Sequence, residues 1–316
     1  LSSHNVAIDT DSGYLYRCGG GGNGLRFYNL NNPGTPVFEG SWTDRYVHDA
    51  QIVEMQAGPF AGSQVAFLCT GNGPVSFDIL DITNKANVIL LGQLIYPGGA
   101  YSHQGWLSPD QQHFYLGDEL DEGPGVPTKT FVIDVSDLTN PILMDEYTNG
   151  NSAIGHNIYT VDNLVYEANY RSGLRILDGS NPLNMTEVAY FDTYPADDNS
   201  NFNGLWSVYP YFPSGTIIGS DLERGLFVWS VGATPLTFSY PAGLPDQLNP
   251  FGDSLTVQIV PGSGFVIDTQ STTLWFNSGS GWMSSLMNQV APGSVEYLAL
   301  FPAFDCGTDV QWYVEA

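Results

Sequence analysis

The chain has 316 residues, with 8 Lys and Arg against 33 Asp and Glu, a formal charge of −25. Too few basic residues exist to form a phosphate-binding face or to hold an anionic bilayer surface, so nucleic acid and acidic membranes are excluded as partners. No apolar run approaches the roughly 20 residues of a membrane-spanning helix, and an aromatic content of 13% marks a folded chain rather than a disordered acidic tail. The length fits about two domains. High glycine and proline (36 and 20 residues) and a charged fraction of 13% favour many turns over long helices, an all-β composition.

In chain order, the predicted strands repeat. A polar-led strand opens each unit: His4-Asn5-Val6-Ala7-Ile8, then His48 to Val53, His103 to Leu107 and His156 to Tyr159. A fifth copy, Asn203 to Ser207, carries Asn in place of His. A second strand ends at a small residue, as in Tyr14 to Cys18, Val65 to Cys69, Phe114 to Gly117, Leu164 to Ala168 and Thr216 to Ser220. A third follows, as in Val75 to Ile79, Thr130 to Asp134 and Gly173 to Asp178. An Asn/Pro turn and an edge-like fourth strand close the unit. Four short strands per unit of roughly 40–55 residues predict β-propeller blades, which must stack because no single blade buries its own faces. A β-solenoid, the competing architecture, has shorter coils.

The repeat ends near Val231, which places a propeller at 1–231. Residues 232–316 alternate strands with Gly/Pro/Ser turns at sandwich spacing and predict a small immunoglobulin-like β-sandwich, with the junction at Ala233-Thr234.

Several motifs, taken in order, resemble a known family. Residues 46–53 (YVHDAQIV), 101–109 (YSHQGWLSP), 115–122 (YLGDELDE), 155–159 (GHNIY), 166–178 (YEANYRSGLRILD) and 211–227 (YFPSGTIIGSDLERGLF) are similar to the choice-of-anchor B family. Those are secreted bacterial proteins with LVIVD-type propeller repeats. The resemblance covers residues 4–231 and implies a secreted or surface-attached propeller, without implying a reaction. Members carry further repeats before the segment that here stands at residue 4. The expectation is therefore either an N-terminally incomplete propeller of six or seven blades, five of them visible, or a propeller that closes differently.

Four of the five histidines, His4, His48, His103 and His156, occupy one repeat-equivalent position. On inner strands such positions lie at equal depth around the axis. Four converging imidazoles would make a site for Cu, Fe or Zn. The competing reading is four channel histidines bonded to water and backbone. Asn203 is expected at the fifth position, on the open side of the site. Asn5, Asp49, Gln104 and Asn157, one residue on, read as strand-entry contacts. Gly117 to Glu122 holds Asp118, Glu119, Asp121 and Glu122, a candidate Ca²⁺ loop or additional ligand set; a solvated acidic loop is the plainer reading. Cys18 and Cys69, equivalent in adjacent units, are expected to form a disulfide; Cys306 has no evident partner. Trp106, Trp206, Tyr101, Tyr209 and Tyr211 read as core packing or as a sugar-stacking surface. No Gly-x-Ser-x-Gly elbow in a strand-to-helix context and no credible phosphate loop appears; the glycine run Cys18 to Gly24 lies between strands. The functional expectation is an extracellular propeller scaffold with an axial metal, binding a protein or polysaccharide or assembling with itself. The alternative is a metal-dependent extracellular oxidoreductase.

Overall fold

The computed structural model describes residues 3–20, 24–71, 73–123, 125–230, 236–261, 267 and 269–316. The chain divides into two compact units, Leu1–Trp229 and Ser230–Ala316. The junction expected at Ala233-Thr234 and part of the Cys18 to Gly24 run lie outside the described residues.

The first unit is all-β. Sheet 1 contains β1 (Asn5–Asp9), β2 (Tyr14–Cys18), β3 (Leu25–Asn29) and β4 (Val37–Trp42); sheet 2 contains β5 (Asp49–Glu54), β6 (Gln64–Cys69), β7 (Phe77–Asp81) and β8 (Ile89–Leu94). Sheet 3 is built from β9 (Ser102–Leu107), β10 (His113–Asp118), β11 (Thr130–Asp134) and β12 (Ile142–Tyr147). Sheet 4 follows with β13 (Asn157–Val161), β14 (Leu164–Asn169), β15 (Gly173–Asp178) and β16 (Thr186–Phe191). Sheet 5 has three strands, β17 (Leu205–Tyr209), β18 (Thr216–Asp221) and β19 (Gly225–Ser230). Each sheet is an antiparallel meander in chain order, the construction of a propeller blade.

Alternation along the middle strands explains the stacking. In β6, Ala66 and Leu68 face sheet 1 and join Tyr16, Cys18, Leu25 and Phe27 in one buried cluster. Val65, Phe67 and Cys69 face the other way and join Phe114, Leu116, Phe131 and Ile133 of sheet 3. A strand buried on both faces must be apolar throughout, and β6 is buried at every position. Further clusters pair sheet 3 with sheet 4 and sheet 4 with sheet 5. Within the second cluster Phe67, Phe77 and Phe114 pack with centroids 4.6–6.2 Å apart. Burying each such ring is worth about 1.5–3 kcal/mol.

The outer strands β4, β8, β12 and β16 are half-exposed edges. Each joins its sheet through a register shift at an equivalent place: Phe27/Tyr28, Ile79/Leu80, Val132/Ile133 and Ile176/Leu177. A β-bulge at each edge bends it and spoils a template for foreign strands. At Gly92, beside one bulge, a Cβ would stand 2.4 Å from the Leu138 carbonyl of the next sheet, so glycine is required there.

The alternation also settles the cysteines. Cys18 and Cys69 are free, buried thiols, and no Cys18–Cys69 disulfide forms. Equivalent residues point the same way around the stack: Cys18 faces sheet 2, while Cys69 faces sheet 3. Sheet 2 itself lies between the two side chains, and a disulfide needs Cβ atoms directed at each other.

The second unit packs two antiparallel sheets around one core. One sheet runs β20 (Leu236–Ser239), β21 (Asp253–Pro261), β25 (Glu296–Phe301), β24 (Asn288–Gln289). The other runs β23 (Trp282–Leu286), β22 (Thr273–Asn277), β26 (Gln311–Glu315). Val257, Ile259, Leu274, Phe276, Tyr297 and Ala299 fill the space between them. No α-helix occurs among the described residues of either unit.

Candidate metal centre

Each row histidine stands at the start of an inner strand, and three are fixed by their own hairpins, while His103 sits at a register shift between β9 and β10. The His4, His48 and His156 amides donate to the carbonyls of Cys18, Cys69 and Ala168, at 3.0, 2.8 and 3.0 Å. Because the inner strands are neighbours in order, the rings form a row. Successive centroids are 4.0 Å (His4–His48), 4.3 Å (His48–His103) and 4.4 Å (His103–His156) apart. His48, His103 and His156 are buried; His4 is exposed.

A second set of bonds turns three of the rings the same way. His48 Nδ1 pairs with the His103 carbonyl at 2.8 Å, and His103 Nδ1 with the His156 carbonyl at 2.9 Å. His156 Nδ1 pairs with the Trp206 carbonyl. A carbonyl accepts only, so each Nδ1 carries the proton and each Nε2 presents a lone pair. Burial keeps the rings neutral: it lowers His48 to about 4 and His156 to about 3, and His103 well below its ordinary value, with neighbouring imidazoles adding to the effect. Neutral rings with Nδ1 bonded to backbone and Nε2 free are the form in which histidine ligates metals.

The row does not gather all four Nε2 atoms at one point. Among the described residues, the one group of His, Cys, Asp and Glu donors at ligand spacing is His103, Glu119 and His156, whose atoms lie within 4.8 Å of one another. Glu119 follows β10 and reaches between the two rings. Its Oε2 is 3.5 Å from His103 Nε2 and its Oε1 is 3.7 Å from His156 Nε2. Two ligands each about 2.1 Å from one ion at the tetrahedral angle stand about 3.4 Å apart, so these separations fit a shared ion. Burial raises the Glu119 carboxyl above its ordinary value. The Tyr170 hydroxyl donates to Glu119 Oε1 at 3.1 Å, and the Tyr170 ring stands edge-on to His156 at 4.9 Å. Tyr170 is held at φ +29°, an unusual conformation for a bulky residue.

The strand pairing shows why the carboxylate occurs once. Asn5 pairs with Cys18, Asp49 with Cys69, Gln104 with Gly117 and Asn157 with Ala168. Two residues beyond those partners stand Gly20, Gly71, Glu119 and Tyr170 in the four units. The histidine repeats, but the carboxylate beside it does not. At Gly71 a Cβ would meet the Tyr46 ring at 2.8 Å, so no larger side chain fits where unit 3 carries Glu119. Aligning this position would have linked Glu119 to the histidines; Tyr170 carried no signal beyond it.

The remaining candidates fall elsewhere. Asn203 is not in the row. It binds Arg171 (Oδ1 accepting from Nη2 at 2.6 Å) and Glu223, and Trp206 takes the fifth place, its ring 5.0 Å from His156. Ser207 pairs with Ser220 as Asn157 does with Ala168, so Trp206 stands where the other units carry histidine. The acidic loop does not converge as a Ca²⁺ cage. Asp118 is buried and accepts from Tyr96 Oη (2.9 Å) and from the Ala100, Tyr101 and Leu120 amides (2.9, 2.7 and 3.2 Å). Asp121 faces Lys129 Nζ at 3.6 Å, and Glu122 accepts from the Gly155 amide at 2.7 Å. Burial pushes Asp121 up to about 7 and Glu122 up to about 8. The polar residues after the histidines are cross-sheet contacts: Asn5 to Asp49, Gln104 Nε2 to the Ile158 carbonyl at 2.9 Å, and Asn157 to Ser207 Oγ at 3.0 Å. Tyr101 and Trp206 flank the row, whereas Trp106 and Tyr211 pack with Tyr159.

Comparison with known proteins adds to this geometry. The family model of the LVIVD repeat matches residues 129–149 and 156–193, which span β11 and β12 and then all of sheet 4. These segments are LVIVD repeats. The matched segment at 156–193 begins at the candidate ligand His156 and contains Tyr170. No curated protein matches the sequence. Among solved structures, a protein from Lactobacillus plantarum is similar at 14% identity with a TM-score of 0.54, over 98% of this chain and 87% of that one. A functionally unknown protein from Desulfotomaculum acetoxidans aligns at 12% identity and a TM-score of 0.45, over 72% and 81%. These likenesses concern fold alone.

Proposed function

We propose that this chain is a secreted or cell-surface β-propeller scaffold with LVIVD repeats that carries one transition-metal centre, ligated by His103, His156 and Glu119. The observation that carries the reading is the pair of Nε2 lone pairs, oriented by Nδ1–carbonyl bonds, with Glu119 3.5 and 3.7 Å away. Two imidazoles and a carboxylate suit Zn²⁺ or Fe²⁺; Ca²⁺ and Mg²⁺ take oxygen donors. His48, next in the row, would serve as a neighbour that fills space rather than as a ligand.

Apolar side chains on the outward faces of the first and fifth sheets, Val6, Ile8, Leu226 and Val228 at 48–67% exposed, support a ring of six or seven blades. The second unit reads as an immunoglobulin-like sandwich, supported by its four-on-three sheet packing. Extracellular placement is supported by the acidic, lysine-poor composition and by the choice-of-anchor B resemblance. A metal-dependent oxidoreductase is the second reading, favoured by one feature: three protein ligands leave a coordination position for an exogenous group.

Elemental analysis of natively purified protein tests the centre. About one Zn, Fe or Cu per chain is expected, with loss in His103→Ala. Unchanged metal content in that variant refutes the site.

A further inference from the structure

The outward face of the β23–β22–β26 sheet carries an aromatic cluster that the core does not use. Alternation along β22 turns Leu274 and Phe276 inward and Trp275 outward. In β26, Trp312 and Val314 turn inward and Tyr313 outward. Trp275 and Tyr313 are directly paired across the strands. Their rings are nearly parallel, 13° apart in tilt and 6.1 Å between centroids. Trp282, which pairs with Asn277 in the register of β23, stands across Tyr313 at 5.2 Å and 63°. Trp282 and Tyr313 are 49% and 45% exposed. Leaving two large aromatics half exposed beside the partly buried Trp275 is costly unless something covers them.

The cluster is held in place before any ligand arrives. Trp275 Nε1 donates to Glu315 Oε2 at 2.8 Å, which fixes the indole. Asn277 Oδ1 accepts from the Gly279 and Gly281 amides at 2.9 and 3.2 Å, which fixes the turn leading into Trp282. Exposed Gln311 and Glu315 flank Tyr313 on the same strand face with hydrogen-bonding groups. Rigid aromatic faces with a polar rim bind an amphipathic ring at low entropic cost.

Charge selects the class of ligand. Residues 230–316 contain five Asp, two Glu and no Lys, Arg or His. Nothing in this unit could neutralise a polyanion, so nucleic acid, anionic lipid and acidic polysaccharide are disfavoured. A neutral pyranose polymer is complementary. Its axial C–H faces stack on aromatic rings, while its equatorial hydroxyls reach amide and carboxylate groups at the rim.

We propose that Trp275, Trp282 and Tyr313 form a binding platform for a neutral, pyranose-based polysaccharide. This assignment does not rest on the metal centre. The test is retention of the full chain by microcrystalline cellulose, chitin and an insoluble β-1,3-glucan, with polygalacturonate as the acidic control and gel filtration alongside. Retention by at least one neutral polymer is expected, undiminished at 1 M NaCl, and weakened about tenfold or more by Tyr313→Leu and by Trp282→Ala. Both positions are exposed, and an unchanged melting temperature shows that the fold survives. No retention by any neutral polymer overturns the proposal. So does equal retention of both variants, or a platform whose substitution dissociates a dimer of this chain without affecting polysaccharide.

Discussion

Replacing Glu119 by Gln keeps the side chain's shape and its acceptance of the Tyr170 hydroxyl but removes the charge between His103 Nε2 and His156 Nε2. In the metal-free protein the change removes a carboxylate whose charged form burial already disfavours. The metal-free melting temperature should therefore stay constant or rise. The metal response should collapse. An ion at 100 times its Kd stabilises the wild-type fold by about 2.7 kcal/mol. For a propeller unit of this size that is roughly 5–11 °C. Loss of residues that merely orient a ligand weakens metal binding about 10- to 100-fold, so loss of a ligand should cost at least about 100-fold. At the same metal concentration the variant then gains only about 0.4 kcal/mol, or about 1–2 °C. Differential scanning calorimetry of chelator-treated protein, with and without Zn²⁺ or anaerobic Fe²⁺, reads both quantities. Equal metal shifts in the two proteins would refute the site. A fall of many degrees in the metal-free variant would instead make Glu119 a structural group.

Asp118 accepts four hydrogen bonds in a fully buried position, so Asp118→Ala strands a hydroxyl and backbone amides and should lower stability by about 3–5 kcal/mol, measured by urea denaturation; a change under about 1 kcal/mol would contradict this role. Under native conditions one thiol per chain, Cys306, should react with Ellman's reagent, because burial raises Cys18 and Cys69 well above the ordinary thiol value; in denaturant without reductant all three should react. Two thiols missing in denaturant would instead reveal a disulfide. Glu122, raised by burial from 4.5 to about 8, favours folding only while protonated. Its contribution is complete below about pH 4.5 and is lost as pH rises towards 8. The stability gain of Glu122→Gln over wild type should therefore be near zero at pH 4, grow through pH 8 and level off above it; a gain that shrinks with rising pH would reverse the assignment.

Periodicity alone located the strands of the first unit, because a buried middle strand such as β6 must be apolar at every position and the Asn/Pro turns must be polar. The equivalence of His4, His48, His103 and His156 was equally legible, since repeat spacing fixes depth along the inner strands. What those histidines do was decided by tertiary structure. The Nδ1 atoms of His48, His103 and His156 are used by carbonyls of the next sheet, and the rings stand side by side in a row instead of pointing at one centre. The candidate donor set then depends on Glu119, which joins the histidines only because β9, β10 and β13 are adjacent in space. The same adjacency separated Cys18 from Cys69: sequence gives their equivalence, but only packing shows that equivalent side chains face the same way around the stack. Ser207 pairs with Ser220 as Asn157 pairs with Ala168, so the strand pairing puts Trp206 in the row and leaves Asn203 three residues before it. Chain order and alternation therefore determined the sheets and their faces, while contacts between sheets determined the chemistry.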